Sequence, residues 1–179
     1  KQKYFLKPPA FSKNNFLPRD VFSADENEKE KLKNFIKKNY FGIYPPFEVG
    51  KKTIIYNFHG GAEWTGASVD PLNGVMYVTA NNIPWITEIY EEKSLFKFKY
   101  KNRFKRFLTQ ENLPASKPPW GTLSAINLNN REIIWQVPFG NYDNINLPDF
   151  PITGTENFGG ATATASGIVF ASGTLDKKI

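Results

Sequence analysis

The sequence contains no cysteine and a single histidine, His59. The absence of cysteine excludes disulfides, zinc–thiolate sites and a thiol nucleophile. One imidazole excludes a metal site built from several histidines. No apolar run approaches the roughly 20 residues that a transmembrane helix needs. No signal peptide is visible and the chain starts at Lys1, so we expect a processed product or a piece of a longer protein.

The composition of what is present predicts a folded, strand-rich protein. The 179 residues are 40% hydrophobic and 22% charged, a balance that allows a core and disfavours disorder. Thirteen glycines, thirteen prolines and 16% aromatic residues favour many turns and strands over a bundle of helices.

The excess of positive charge is local. Between Lys93 and Arg106 there are seven basic residues and no acidic one, whereas the formal net charge of the whole chain is +6. Aromatic and lysine residues alternate from Phe96 to Lys101, which predicts a strand with rings on one face and ammonium groups on the other. We favour a solvated surface strand, because charge runs are usually solvated. Contact with anionic lipid and binding of single-stranded nucleic acid are the alternatives, and we predict no nucleic-acid partner.

The first 50 residues are predicted to form an extended arm followed by one helix. Prolines make the first 22 residues irregular, and Ser23 is a candidate N-cap. Acidic residues then precede basic ones, an order that suits the helix dipole. The apolar stripe of this helix is Leu32, Phe35, Ile36 and Tyr40. Gly42 and the prolines after it end the helix.

The rest of the chain is predicted to contain a strand over Thr53–Phe58 and then three hairpins. Their strand pairs are Gly66–Val69 with Val75–Ala80, Gly121–Leu128 with Glu132–Val137, and Ala161–Ala165 with Ile168–Ser172. Related positions recur 93 residues apart (Gly74 and Gly167) and 39 residues apart (Gly121 and Gly160). A spacing near 40 residues is typical of four-stranded propeller blades.

Three long segments resemble the pyrroloquinoline quinone (PQQ)-dependent dehydrogenases, in particular the membrane-type glucose and polyol dehydrogenases. They are Gly60–Trp85, Pro118–Gly140 and Gly154–Lys178, in the family's order. The resemblance implies an all-β fold, part of an eight-bladed β-propeller that carries PQQ and calcium. Residues 1–179 would form part of one such domain, with roughly three to four blades' worth of chain. The arm and helix occupy 1–50 and the blade segments 51–179, with a basic insertion near 88–112.

The resemblance also identifies a tryptophan-docking motif, which begins at Ala125 and ends at Trp135. Asn127 stands where the family has an aspartate, and Arg131 stands at the glycine of the turn. The second departure predicts a turn of different shape. Trp135 is expected to be structural, because its buried area and indole N–H do the docking.

By resemblance, the cofactor-binding residues are Glu63, Trp64, Asn157, Phe158 and Gly159. Glu63 is the leading candidate for a PQQ contact, and the alternative is a structural carboxylate. Trp64 is also a candidate for packing between blades. We interpret His59 as a polar loop residue, Asp70 as a turn residue and Trp120 as the start of a blade, where it lines the edge.

The resemblance implies that the catalytic aspartate, a cofactor-clamping lysine or arginine and most calcium ligands precede this segment. We therefore expect a C-terminal-half fragment, inactive by itself, with no catalytic or metal-binding residue of its own. The complete enzyme would oxidise a sugar or polyol hydroxyl and pass electrons to a membrane quinone. It would lie in the periplasm, associated with the membrane through a region outside this chain. The alternative is a non-enzymatic propeller scaffold.

Overall fold

The computed structural model describes residues 6–92 and 99–179. In these ranges the chain is mostly β, with one α-helix, α1 (Glu26–Lys37), and one 3₁₀ turn, Pro18–Asp20. The strands are β1 (Tyr40–Phe41), β2 (Lys52–Tyr56), β3 (Ser68–Asp70), β4 (Val75–Asn81), β5 (Pro84–Glu91), β6 (Tyr100–Arg106), β7 (Gly121–Asn127), β8 (Glu132–Pro138), β9 (Ala161–Ala163) and β10 (Val169–Ala171). All three predicted hairpins are confirmed.

The chain divides into two compact units. The first comprises Lys1–Lys13, His59–Asn82 and Pro118–Ile179, and the second comprises Asn14–Phe58 and Ile83–Lys117. Each unit contains one four-stranded sheet, and the first also contains the β9–β10 hairpin. None of these sheets closes on itself, as expected for part of a propeller.

The second unit packs α1 on a sheet of order β1-β2-β5-β6. Its core includes Phe16, Ile36 and Ile54, all fully buried. The ring of Phe16 meets Tyr56 edge-on at 5.0 Å and Phe107 edge-on at 6.0 Å. Edge-to-face pairs of this kind add stability beyond the area that they bury.

The predicted helix is present, with two corrections. Its N-cap is Asp25, whose side chain accepts from the amide of Asn27, and not Ser23. Ser23 instead donates to the carboxylate of Glu28 at 2.5 Å, since both side chains are buried there. Tyr40 lies beyond the end of the helix, in β1, so the apolar stripe ends at Ile36.

The predicted basic strand is partly within the described residues. Lys93, Phe96, Lys97 and Phe98 lie outside them, whereas β6 shows every residue from Tyr100 to Arg106 exposed. It is the edge strand of its sheet and pairs only with β5 among the described strands. This part of the strand lies on the surface, as predicted, and its lysines discourage further edge pairing. A strand of this kind is expected to have its aromatic face covered, and that is wrong for Tyr100, which is half exposed.

The first unit has the sheet order β3-β4-β7-β8, so two of the predicted hairpins join in one sheet. Trp120, just before β7, is fully buried and does not line an edge. Its ring meets Tyr142 edge-on at 5.5 Å, and its amide donates to the carbonyl of Thr153 at 2.8 Å.

The two turns of this sheet have the same local structure. The Asp70 side chain accepts from the amides of Leu72 and Asn73, and the hydrogen bond from the Asn73 side chain lowers the pKa of Asp70. This confirms Asp70 as a turn residue. At the equivalent places in the second turn, Asn127 accepts from the amides of Asn129 and Asn130.

The fifth residue of each turn takes a left-handed conformation. Gly74 has φ 63° and Arg131 has φ 62°. The predicted change of turn shape at Arg131 is therefore wrong. The arginine adopts the conformation that glycine adopts in the other turn, at a cost in free energy that glycine avoids.

Candidate functional site

The first unit brings two of the predicted site segments together through the side chain of Asn81. This residue ends β4 and is 4% exposed. Its Nδ2 donates to a carboxylate oxygen of Glu63 and to the carbonyl of Asn157, both at 2.8 Å. Its Oδ1 accepts from the amide of Asn157 at 2.9 Å. One amide side chain thus fixes both the loop that carries Glu63 and the segment that carries Asn157.

Sequence reasoning missed Asn81, because it follows an ordinary strand pattern and no motif marks it. The backbone N–H of Asn81 donates to the carbonyl of Gly61 at 2.7 Å, which adds a second point of attachment for the loop that carries Glu63. The useful signal is a polar residue at the end of a buried strand, because such a residue must find hydrogen-bond partners.

Asn157 is fully buried. Its Nδ2 lies 3.1 Å from the Oδ1 of Asn81 and 3.3 Å from the carbonyl of Ala80. The Asn157 Oδ1 is buried too, and it accepts no hydrogen bond from the residues that the structure describes. A buried acceptor in this state is rare in folded proteins.

Two aromatic side chains of the same segments are open to solvent. Trp64 is 94% exposed and Phe158 is 50% exposed. Large aromatic groups at such exposure offer faces for a planar ring or for another part of the protein. Within the part of the chain that is described, Trp64 does not pack between sheets.

Gly159 and Gly160 each lie close to a different neighbouring residue. A Cβ on Gly159 would stand 1.9 Å from the carbonyl oxygen of Ser172, so this glycine permits close packing of two backbone segments. A Cβ on Gly160 would stand 3.3 Å from the Cβ of Thr65, which follows the Glu63–Trp64 pair. The carbonyl of Gly159 also accepts from the hydroxyl of Thr79 at 2.8 Å.

His59 and the docking motif belong to the same unit. His59 is exposed and lies in a turn, as expected for a polar loop residue. Ala125 pairs directly with Trp135 across β7 and β8, as the two ends of a docking motif should. Ala125 also pairs with Tyr77, whose ring lies 6.1 Å from that of Trp135.

The side chains of this site match the chemistry of PQQ, the group that the resemblance implies. The half-buried carboxylate of Glu63 can accept from a ring N–H, and the exposed faces of Trp64 and Phe158 can meet a flat ring system. These residues fit one edge of a PQQ molecule. Among the residues described, no three His, Cys, Asp or Glu side chains come together as a possible metal site. No helix in the described ranges is both long and apolar enough to cross a membrane.

The comparisons with known proteins agree with this fold. The family model for the PQQ-type glucose/ethanol/alcohol dehydrogenase β-propeller domain matches residues 2–179. The chain therefore belongs to the family of PQQ β-propeller domains.

Several proteins similar to this chain are named as quinate, glucose or glycerol dehydrogenases. The chain is 32% identical, over 79% of its length, to a probable quinate dehydrogenase (quinone) of Xanthomonas campestris pv. juglandis. It is 25% identical, over 98% of its length, to quinoprotein glucose dehydrogenase A of Acinetobacter calcoaceticus. It is 25% identical, over 81% of its length, to the glycerol dehydrogenase large subunit of Gluconobacter oxydans. These matches cover only 21%, 26% and 24% of the respective relatives.

Proposed function

We propose that this chain is part of a PQQ-dependent dehydrogenase that oxidises a hydroxyl group of a sugar or other polyol and passes the electrons to a quinone. The names of its relatives support a substrate with several hydroxyl groups, since they specify glucose, quinate and glycerol. The observation that carries the proposal is the Asn81 side chain, which joins two segments that the resemblance assigns to the cofactor.

Within this proposal, Glu63 contacts the polar edge of PQQ, and Trp64 and Phe158 present aromatic faces to it. Asn81 holds the carboxylate of Glu63 in place, while Asn157 and Gly159 fix the segment that carries Phe158. When bound, PQQ supplies the two-electron acceptor for the reaction. The described residues orient it and shield it, and the proton-accepting group and the calcium ligands come from outside this chain.

The proposal also predicts what surrounds this chain in the complete protein. It is one part of a single propeller domain whose other blades lie elsewhere in the protein. Several large apolar side chains of the first unit are half exposed, among them Ile134, Val137 and Phe170. Neighbouring blades would cover such side chains. The periplasm, next to a membrane that holds the quinone, is the proposed location.

The function is tested on the full-length protein, purified without cofactor and then supplied with PQQ and Ca²⁺. Reduction of an artificial dye is measured with glucose, quinate and glycerol as substrates. We expect dye reduction that requires both PQQ and one of these substrates. A protein that stays inactive with every substrate, and that also fails to bind PQQ, would instead be a propeller scaffold without enzymatic activity.

A further inference from the structure

The second unit contains an open groove with a volume of about 890 Å³. It lies between α1 and the β5–β6 hairpin, together with the residues that follow β6. This volume is within the usual range for sites that hold small organic ligands. The groove is separate from the Glu63 segment, because all of its lining residues belong to the second unit.

The charge of the groove is positive. Eleven residues line it, and Lys31, Lys105 and Arg106 are the charged ones, with no carboxylate among the eleven. The guanidinium carbon of Arg106 lies 5.1 Å from the ring centre of Trp85, a cation–π contact that helps to orient it. A groove with this lining attracts an anion.

Outside the groove, Lys99 and the described cations of strand β6 each pair with a carboxylate. Lys99 pairs with Glu91 at 2.8 Å, Lys101 with Glu92 at 2.6 Å, and Arg103 with Glu88 at 3.0 Å. In the described part of the chain, Lys31 and Lys105 form no ion pair. Lys101 and Arg103 of β6 are therefore paired with carboxylates whereas Lys105 at the groove is not, so β6 does not present an unbroken track of unpaired cations.

Apart from Asn112, the rest of the lining consists of aromatic and aliphatic side chains. Leu32, Ile86 and Leu108 line the groove beside the aromatic residues, and the ring of Phe104 is 49% exposed. Single-stranded nucleic acid needs aromatic faces for its bases and a continuous track of cations for its phosphates. Aliphatic walls with one local cluster of cations fit a phosphate that carries hydrocarbon chains better.

We propose that this groove docks an anionic phospholipid at a membrane surface. The phosphate lies against Lys31, Lys105 and Arg106, and the first carbons of the acyl chains lie along Leu32 and Leu108. The half-exposed Phe104 adds a further apolar surface beside these leucines, while the buried Trp85 orients Arg106. The docking is independent of PQQ binding, because no residue of the Glu63 segment takes part.

The proposal is tested by calorimetric titration of the full-length protein with dihexanoyl phosphatidylglycerol below its critical micelle concentration. Dihexanoyl phosphatidylcholine, glycerol phosphate and a single-stranded oligonucleotide are titrated in parallel. We expect saturable binding of the phosphatidylglycerol and at least tenfold weaker binding of the other three. Equal binding of glycerol phosphate would overturn the lipid assignment in favour of a site for small anions. Tighter binding of the oligonucleotide would overturn it in favour of nucleic acid.

A pair of double variants locates the site. Lys31→Gln with Lys105→Gln removes two groove cations, and we expect about a 25-fold loss of phosphatidylglycerol affinity, roughly fivefold for each lysine. Lys99→Gln with Lys101→Gln removes the same charge from paired positions and should change the affinity less than threefold. All four side chains are exposed, so both variants should keep the wild-type unfolding temperature. Equal losses in the two variants, or no binding by the wild type, would refute the groove as the site.

Discussion

Arg131 shows at the scale of one residue how a hairpin can keep its shape without its usual glycine. Its φ of 62° lies in the left-handed region, which costs an L residue about 1–2 kcal/mol. Gly74 takes the same conformation in the neighbouring turn. The hydrogen bonds that Asn127 accepts therefore stabilise the second turn, although Arg131 in that turn disfavours the left-handed conformation.

We predict that Arg131→Gly stabilises the full-length protein by about 0.5–1 kcal/mol, because the relief of left-handed strain exceeds the entropy that glycine gains in the unfolded chain. The midpoint of urea unfolding measures the change. Gly74→Ala is the matched opposite change and should destabilise the protein, since its Cβ would also stand 2.6 Å from the Nδ2 of Asn129. A lower midpoint for Arg131→Gly would show that its turn is not strained.

Tyr56 makes the stability of the second unit depend on pH in the alkaline range. Burial, and after it the charge of Asp20, raises the pKa of Tyr56 well above its usual value near 10. As the pH rises, the Tyr56 hydroxyl therefore loses its proton at a lower pH in the unfolded chain than in the folded protein. The stability that this difference provides is complete below about pH 10 and is lost as the pH rises above that value.

We predict that Tyr56→Phe reduces the loss of stability above pH 10, because phenylalanine has no proton to release. The free energy of unfolding is measured from pH 8 to pH 11 for the variant and the wild type. Tyr44→Phe is the control, since Tyr44 is 77% exposed, and it should follow the wild-type curve. Parallel curves for Tyr56→Phe and the wild type would contradict the role given to this hydroxyl.

Glu63 is the residue on which the proposed cofactor contact depends. Replacing its carboxylate by an amide in Glu63→Gln should weaken PQQ binding about tenfold, or about 1.4 kcal/mol. Equilibrium titration of the full-length protein with PQQ measures this. Glu132→Gln is the control, because Glu132 is an exposed residue at the start of β8 and outside the Asn81 network. Wild-type affinity in Glu63→Gln would remove Glu63 from the site.

At the scale of elements, β8 places its tryptophan by means of a bulge. The register shifts between Ala125 and Ile126, so that Ile126 pairs with Ile133 and Ala125 with Trp135. Ile134 is the extra residue, and it turns Trp135 to the same face as Ala125. The small alanine leaves room for the indole next to Tyr77.

We predict that Trp135→Ala lowers the stability of the full-length protein by about 2 kcal/mol, less than a fully buried tryptophan would cost. The side chain is 38% exposed, so only part of its apolar area is lost from the packed state. Urea unfolding measures the loss. Activity after addition of PQQ should persist under folding conditions, because the role is structural; loss of PQQ binding in a folded variant would contradict that role.

Local patterns predicted the elements better than they predicted the arrangement of those elements. The turns at Asp70–Gly74 and Ser166–Gly167 identified their hairpins because turn residues act within a few positions. Strand β5 was missed, since Pro84 and the neighbouring charges made its sequence resemble an insertion. The joining of β4 to β7 depends on packing over more than 40 residues, which periodicity does not report. The Asn81 network was missed for the same reason.

At the scale of the whole molecule, the chain is one section of a larger architecture. It spans about a quarter of the length of the relatives that it matches. Its described sheets remain open, and the family match covers residues 2–179. The resemblance to quinoprotein dehydrogenases thus identifies the family, whereas substrate and electron acceptor depend on the complete protein.

The most direct test of this account is a titration of the full-length, cofactor-free protein with PQQ in the presence of Ca²⁺. We predict saturable binding of one PQQ per chain, with quenching of protein fluorescence because tryptophan lies at the proposed site. Replacing Asn81 by alanine should weaken this binding, since the Glu63 carboxylate loses its hydrogen bond to that side chain and the backbone of Asn157 loses two. The absence of saturable PQQ binding to the folded wild-type protein would contradict the central claim.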